Sequence, residues 1–141
     1  MSLNKTMNKK SFLILGDLVA IAIVTIIGFA THGETGTSFL PRMAAAFFPV
    51  SVGWFLLAPW FGAFDEQVIT DRKLLWRVPV AMLFAAPLAV ILRAAVLGTN
   101  AIPVFALVLG STSAFGMLLW RGLFLFISGR AVHDPYQKKA D

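Results

Sequence analysis

The 141-residue sequence contains no cysteine, which excludes disulfide bonds and thiolate metal sites. Charged residues are also scarce, at 13% of the chain against about 25% in ordinary soluble domains. Hydrophobic residues make up 58% instead, and the mean hydropathy is +0.80. This composition does not fit a soluble globular protein, and it leaves no room for a separate soluble domain.

The charges that are present are mostly basic, giving a net charge of +5 and a pI near 10.1. A nucleic-acid-binding protein gathers its basic residues on one face or stripe. Here the lysines and arginines lie at the ends of apolar segments, where such residues set the topology of membrane proteins. We therefore expect the lipid bilayer as a partner, and no nucleic acid.

Four apolar segments reach the length of about 20 residues that a membrane-spanning helix needs. They predict an all-α, polytopic integral membrane protein, with four transmembrane helices packed in a bundle over residues 12–128. The predicted helices are about 12–31, 43–64, 78–97 and 102–128. Residues 1–11 are expected to form a disordered cytoplasmic tail, and residues 129–141 a second cytoplasmic tail.

The first apolar segment is not predicted to be a cleaved signal peptide. The apolar region of a signal peptide is only about 7 to 15 residues long and ends at a small-residue cleavage site. This segment is longer and contains a carboxylate, Asp17. We therefore expect a retained helix.

The most charged stretch, residues 65–77, is expected to be a solvent-exposed loop between the second and third helices. Three aromatic residues precede this stretch, Trp60, Phe61 and Phe64, and Trp76 lies near its end. Aromatic side chains are enriched where a membrane meets water. We therefore expect these four to form a belt at that interface.

The distribution of basic residues predicts the orientation. Nine lysines and arginines lie in the two tails and the 65–77 stretch, against Arg42 and Arg93 at the opposite ends of the helices. The positive-inside rule then places both termini in the cytoplasm. The nine are Lys5, Lys9, Lys10, Arg72, Lys73, Arg77, Arg130, Lys138 and Lys139.

Two opposite charges lie within the predicted helices, Asp17 in the first and Arg121 in the fourth. Both fall about 9 to 10 Å from the cytoplasmic ends of their helices, at 1.5 Å per residue. An unpaired charge near mid-bilayer costs about 2.5 to 3.5 kcal/mol on insertion scales. We therefore expect Asp17 and Arg121 to form an inner polar pair, which either fixes helix packing or serves as a binding site.

A second polar cluster is expected near the opposite interface, from His32, Glu34, Arg42 and Arg93. Glu34 is the expected partner of Arg93, and His32, Glu34 and Arg93 form a candidate outer binding cluster. The His32-x-Glu34 spacing offers only two ligands, so no metal site is predicted.

No catalytic pair of nucleophile and base is apparent, so an enzyme is not expected, and no cofactor is predicted. Trp54 and Trp120 could line a pigment, quinone or lipid site, although aromatic residues in membrane helices more often pack or face lipid. The favoured function is a non-enzymatic membrane subunit or structural bundle. The alternative is a small transporter or channel, dimeric and proton-linked, with Asp17 and Arg121 at its centre. Whether the chain forms a homo-oligomer or binds a membrane partner protein stays open.

Several short motifs occur in a characteristic order along the chain: Gly16-Asp17-Leu18, Thr31-His32-Gly33-Glu34, Gly53-Trp54, Arg93 and Trp120-Arg121. Together they resemble a family of small prokaryotic four-helix membrane proteins, domain of unknown function 3054, over residues 12–127. The resemblance implies four helices and a bacterial or archaeal plasma membrane. It implies no reaction, ligand or partner.

Overall fold

The computed structural model describes the backbone of residues 2–132 and the side chains of residues 9–65 and 67–128. The rest of the predicted C-terminal tail, residues 133–141, lies outside the described residues. Within residues 2–132 the structure is helical, with no β-strand. This part of the chain is therefore all-α, as the sequence predicts.

Four long helices and one short helix make up the fold: α1 (Ser2–Thr31), α2 (Leu40–Leu57), α3 (Glu66–Thr70), α4 (Arg77–Leu97) and α5 (Pro103–Val132). Four stretches of the described chain are long and apolar enough to cross a membrane, and they correspond to α1, α2, α4 and α5. The predicted number of helices long and apolar enough to cross a membrane is therefore confirmed.

The helix ends differ from the predicted ones at both ends of the chain. α1 begins at Ser2, ten residues before the predicted start, so the helix includes the stretch that we expected to be disordered. Lysine and methionine, which recur in that stretch, are good helix formers. At the other end, α5 continues to Val132, four residues beyond the predicted end.

α2 ends seven residues before the predicted boundary. Its last residue is Leu57, and a 3₁₀ turn over Ala58–Phe61 follows, with Pro59 near its start. Proline lacks the N–H that would continue the α-helical hydrogen-bond ladder. Gly62 then adopts a left-handed conformation (φ 70°), which glycine accepts without steric cost and which turns the chain.

α4 lies between α2 and α5 and packs against both, while α1 contacts α5 and α2. Its packing face carries Ala81, Ala85 and Ala89, which are almost fully buried and recur every four residues, as expected for a packing face. Small side chains allow two helix backbones to approach closely. At Gly53 of α2, an added Cβ would lie only 2.9 Å from the carbonyl oxygen of Ala85.

The outer surface of the long helices is apolar. On α1, for example, Val19, Ile23, Ile26 and Ile27 are each half exposed or more. Large aliphatic side chains recur in the same way on the outer faces of α4 and α5. Soluble monomers rarely expose large contiguous apolar patches. The outer faces of these helices therefore require an apolar surrounding.

The connection between α2 and α4, residues 58–76, is called the inner segment below. Its charged residues Asp71, Arg72 and Lys73 are exposed, as expected. Val68 and Ile69, however, are buried on α3, which packs against α5. The expectation of a wholly solvent-exposed loop was therefore wrong, because this apolar pair turns the segment back onto the helices.

Candidate functional site

The side chains of Asp17 and Arg121 meet between α1 and α5, as predicted. Arg121 Nε donates to Asp17 Oδ1 at 2.9 Å, and Nη2 donates to Oδ2 at 2.8 Å. Two parallel N–H···O bonds of this kind form the strong bidentate geometry that arginine makes with carboxylates. The pair joins the first and last long helices.

Two indole groups complete the coordination of the carboxylate. Trp54 Nε1, from α2, donates to Asp17 Oδ2 at 3.0 Å, and Trp120 Nε1, from α5, donates to Oδ1 at 3.0 Å. Each oxygen therefore accepts one bond from arginine and one from tryptophan. Hydrogen bonds to the charged form stabilise a carboxylate that has left water.

A backbone carbonyl of the inner segment accepts a hydrogen bond from the third nitrogen of the guanidinium. Arg121 Nη1 donates to the carbonyl oxygen of Ala63 at 2.8 Å. The guanidinium carbon also lies 5.2 Å from the ring centre of Phe64 and 5.8 Å from that of Trp54. Cations are attracted to aromatic faces at this distance. Phe64 therefore faces the polar pair, and its place in an interfacial belt stays a prediction.

Gly16 makes this arrangement sterically possible. A Cβ at this position would collide with the ring of Trp120. The missing side chain lets the indole lie against α1, directly beside Asp17. The Gly16-Asp17 dipeptide therefore provides both the space for the Trp120 ring and the acceptor for its N–H.

The polar pair is closed to solvent. Asp17 is 0% exposed and Arg121 is 2% exposed. The narrow crevice beside Arg121, lined by apolar side chains of the inner segment and α5, has no room for a water molecule. Among the described residues, the buried polar atoms of both side chains all have hydrogen-bond partners. This arrangement ties helices together and presents no surface to a ligand.

Sequence reasoning found the charges but not their other partners. The N–H of a buried tryptophan needs an acceptor, so Trp54 and Trp120 were candidates for bonding to the only carboxylate inside a predicted helix. That signal was present in the sequence. The carbonyl of Ala63 had no signal, because any residue supplies a backbone oxygen.

The predicted outer cluster is only partly assembled. Glu34 lies 3.7 Å from Arg42, not beside Arg93, so the expected Glu34–Arg93 partnership was wrong. Arg42 stands in the first turn of α2, close along the chain to Glu34, whereas the Arg93 guanidinium lies 5.1 Å from the ring centre of Phe105 on α5. The Arg93 Nε atom is buried and has no hydrogen-bond partner among the described residues.

His32 is exposed and takes no part in an ion pair within the described chain. The described residues also contain no group of three histidine, aspartate or glutamate side chains that could hold a metal ion. Among the described residues, Glu34 and Arg42 therefore form one partly exposed ion pair, and neither His32 nor Arg93 forms an ion pair with them.

The model of a family described as "Protein of unknown function (DUF3054)" matches residues 14–124. This range includes Asp17, Trp54, Ala63, Trp120 and Arg121. No curated protein and no solved structure matches the chain.

Proposed function

The chain belongs to the DUF3054 family of proteins of unknown function, and from this premise and the closed polar pair we propose that it is a structural membrane protein. Its four long helices cross the bilayer as a bundle, and it acts as a non-enzymatic subunit of a membrane assembly. Its partner is a second copy of the chain or another membrane protein.

The observation that carries this proposal is the full coordination of the Asp17 carboxylate by groups of the protein. Asp17 accepts four hydrogen bonds, and Arg121 donates to α1 and to the inner segment. A substrate or ion site needs an accessible group with free bonding capacity. Here four protein donors occupy both oxygens of the carboxylate, which is the pattern expected of a group that specifies packing.

The proposed location is a prokaryotic plasma membrane, with both termini in the cytoplasm. The apolar outer faces of the long helices support the membrane location. The lysines and arginines of the inner segment and of the N-terminal end of α1 support the orientation through the positive-inside rule.

The alternative, a proton-linked transporter that uses Asp17, makes an opposite prediction for one substitution. Asp17→Asn leaves Arg121 as a buried charge without its counter-ion, and removing one partner of such a pair costs about 3 to 5 kcal/mol. A structural pair therefore predicts a large loss of folded protein. A transport carboxylate predicts a folded protein that has lost only its coupled flux.

The experiment compares the yield and thermal stability in detergent of wild type, Asp17→Asn and the double variant Asp17→Asn with Arg121→Gln. Glu34→Gln is the control, because the Glu34–Arg42 pair is partly exposed and such pairs contribute little. We expect Asp17→Asn to lose most of the folded protein, the double variant to recover part of it, and Glu34→Gln to match wild type. A stable Asp17→Asn variant would contradict the proposal.

A further inference from the structure

An open groove of about 410 Å³ lies where the chain leaves α2 and where α4 begins, apart from the Asp17–Arg121 pair. It is called the interfacial groove below. Its lining includes Pro59, Trp60, Gly62, Asp65, Trp76 and Arg77. Its volume is within the range of roughly 300 to 1,000 Å³ that is typical of small-molecule sites.

Two opposite charges, Asp65 and Arg77, line the interfacial groove without forming an ion pair within the described chain. Asp65 occupies the N-cap position of α3, but its side chain makes no capping hydrogen bond. Arg77 begins α4, and its guanidinium lies 5.8 Å from the ring centre of Trp76. Among the described residues neither side chain forms an ion pair. The groove therefore offers one carboxylate and one guanidinium that no ion pair of the described chain occupies.

Gly62 brings both charged groups to the same place. A Cβ on Gly62 would lie 2.7 Å from Asp65 Oδ2 and 3.0 Å from Arg77 Nη1. The left-handed conformation of Gly62 (φ 70°) turns the chain at this point and leaves the space between the two groups open. A ligand that carries a cation and an anion a few ångströms apart matches this spacing.

Two tryptophans flank the charges and face outward. Trp60 is 86% exposed and Trp76 is 57% exposed. Indole rings this exposed are typical of the level where acyl chains meet headgroups, because the ring is apolar and its N–H is polar. In the proposed orientation, the groove opens at the cytoplasmic interface of the bilayer.

We propose that the interfacial groove binds the headgroup of a zwitterionic phospholipid. Arg77 binds the phosphate, Asp65 binds the ammonium group, and the rings of Trp60 and Trp76 lie against the glycerol and the first acyl carbons. An anionic lipid lacks the ammonium group and would leave its phosphate near an unpaired Asp65. This inference rests on the membrane placement proposed above, and it adds a ligand that the structural role does not require.

The test is native mass spectrometry of the purified chain in detergent, with added phosphatidylethanolamine or phosphatidylglycerol of identical acyl chains. We expect wild type to retain one phosphatidylethanolamine per chain, with about tenfold preference over phosphatidylglycerol, in line with one lost charged hydrogen bond. Asp65→Asn should remove this preference. Arg77→Gln should weaken the retention of both lipids.

Arg72→Gln is the matched control, because Arg72 is an exposed arginine of the same inner segment and does not line the groove. It should keep the wild-type preference. Size-exclusion profiles establish that each variant is folded, and Asp65→Asn changes neither size nor shape. Equal retention of the two lipids by wild type, or an equal loss in Arg72→Gln and Arg77→Gln, would overturn the assignment.

Alkaline carbonate extraction of the source membranes separates this inference from its premise. A chain that stays in the membrane after extraction but shows no headgroup preference overturns the lipid site alone. A chain released into the soluble fraction overturns the membrane placement, and with it the lipid site.

Discussion

At the scale of single residues, the carboxylate of Asp17 is the acceptor for the hydrogen bonds of the side chains around it. Four donors from two helices, α2 and α5, converge on two oxygen atoms of α1, at distances of 2.8 to 3.0 Å. Trp54 and Trp120 are therefore polar partners as well as aromatic packing residues. Replacing either one by phenylalanine keeps an aromatic ring in place and removes the donor.

We predict that Trp54→Phe and Trp120→Phe each lower the free energy of unfolding by about 1.5 to 3 kcal/mol, the usual range for hydrogen bonds to charged groups. Trp60→Phe is the control, since Trp60 is 86% exposed. The measurement is thermal unfolding in detergent, followed by circular dichroism at helical wavelengths. Equal unfolding temperatures for Trp54→Phe and Trp60→Phe would show that the indole N–H contributes nothing.

At the scale of helices, α2 and α4 pack closely because one glycine of α2 contacts the backbone of α4. A Cβ on Gly53 would lie 2.9 Å from the Ala85 carbonyl oxygen, and the backbone of α4 cannot move aside as a flexible side chain could. Gly28 of α1 provides the comparison, because nothing lies within 4 Å of a Cβ added there. The two positions test packing separately from helix propensity.

We predict that Gly53→Ala destabilises the protein by about 1 to 3 kcal/mol, the usual cost of overpacking. Gly28→Ala should be neutral, or stabilising by about 0.5 to 1 kcal/mol, because alanine is a better helix former than glycine. Both variants are compared with wild type by thermal unfolding in detergent. A loss of the same size in both would mean that the α2–α4 contact is not as close as described.

At the scale of the whole molecule, length and hydropathy predicted the number of long helices, and opposite charges at similar depth predicted the Asp17–Arg121 pair. Two features were outside the reach of such patterns. The inner segment turned inward because Val68 and Ile69 outweighed the surrounding charges. Glu34 paired with Arg42 rather than Arg93, because the nearer arginine along the chain was available and Arg93 had an aromatic ring to contact.

The absence of native cysteine makes the proposed orientation directly measurable, because every introduced cysteine is unique. Thr35→Cys and Thr99→Cys place a thiol at exposed positions between α1 and α2 and between α4 and α5. Gln67→Cys places one at an exposed position of the inner segment. With a membrane-impermeant maleimide on intact cells, we expect labelling of the first two and not of the third.

Permeabilised cells are the control for that experiment, since all three thiols should then react. Labelling of Gln67→Cys alone in intact cells would reverse the orientation and would place the interfacial groove at the outer face. Labelling of all three in intact cells would contradict a single orientation of the chain in the membrane.

The Asp17–Arg121 contact also has a consequence for synthesis of the chain. The two residues are 104 positions apart, so the ribosome releases Asp17 long before its counter-charge exists. Trp54 supplies the first donor after 37 residues, and Arg121 arrives only with the last long helix. Until then, Asp17 lacks its counter-charge, and an unpaired charge near mid-bilayer costs about 2.5 to 3.5 kcal/mol on insertion scales. We therefore predict that a nascent chain that stops before Arg121 holds α1 less firmly in the membrane than the complete chain does.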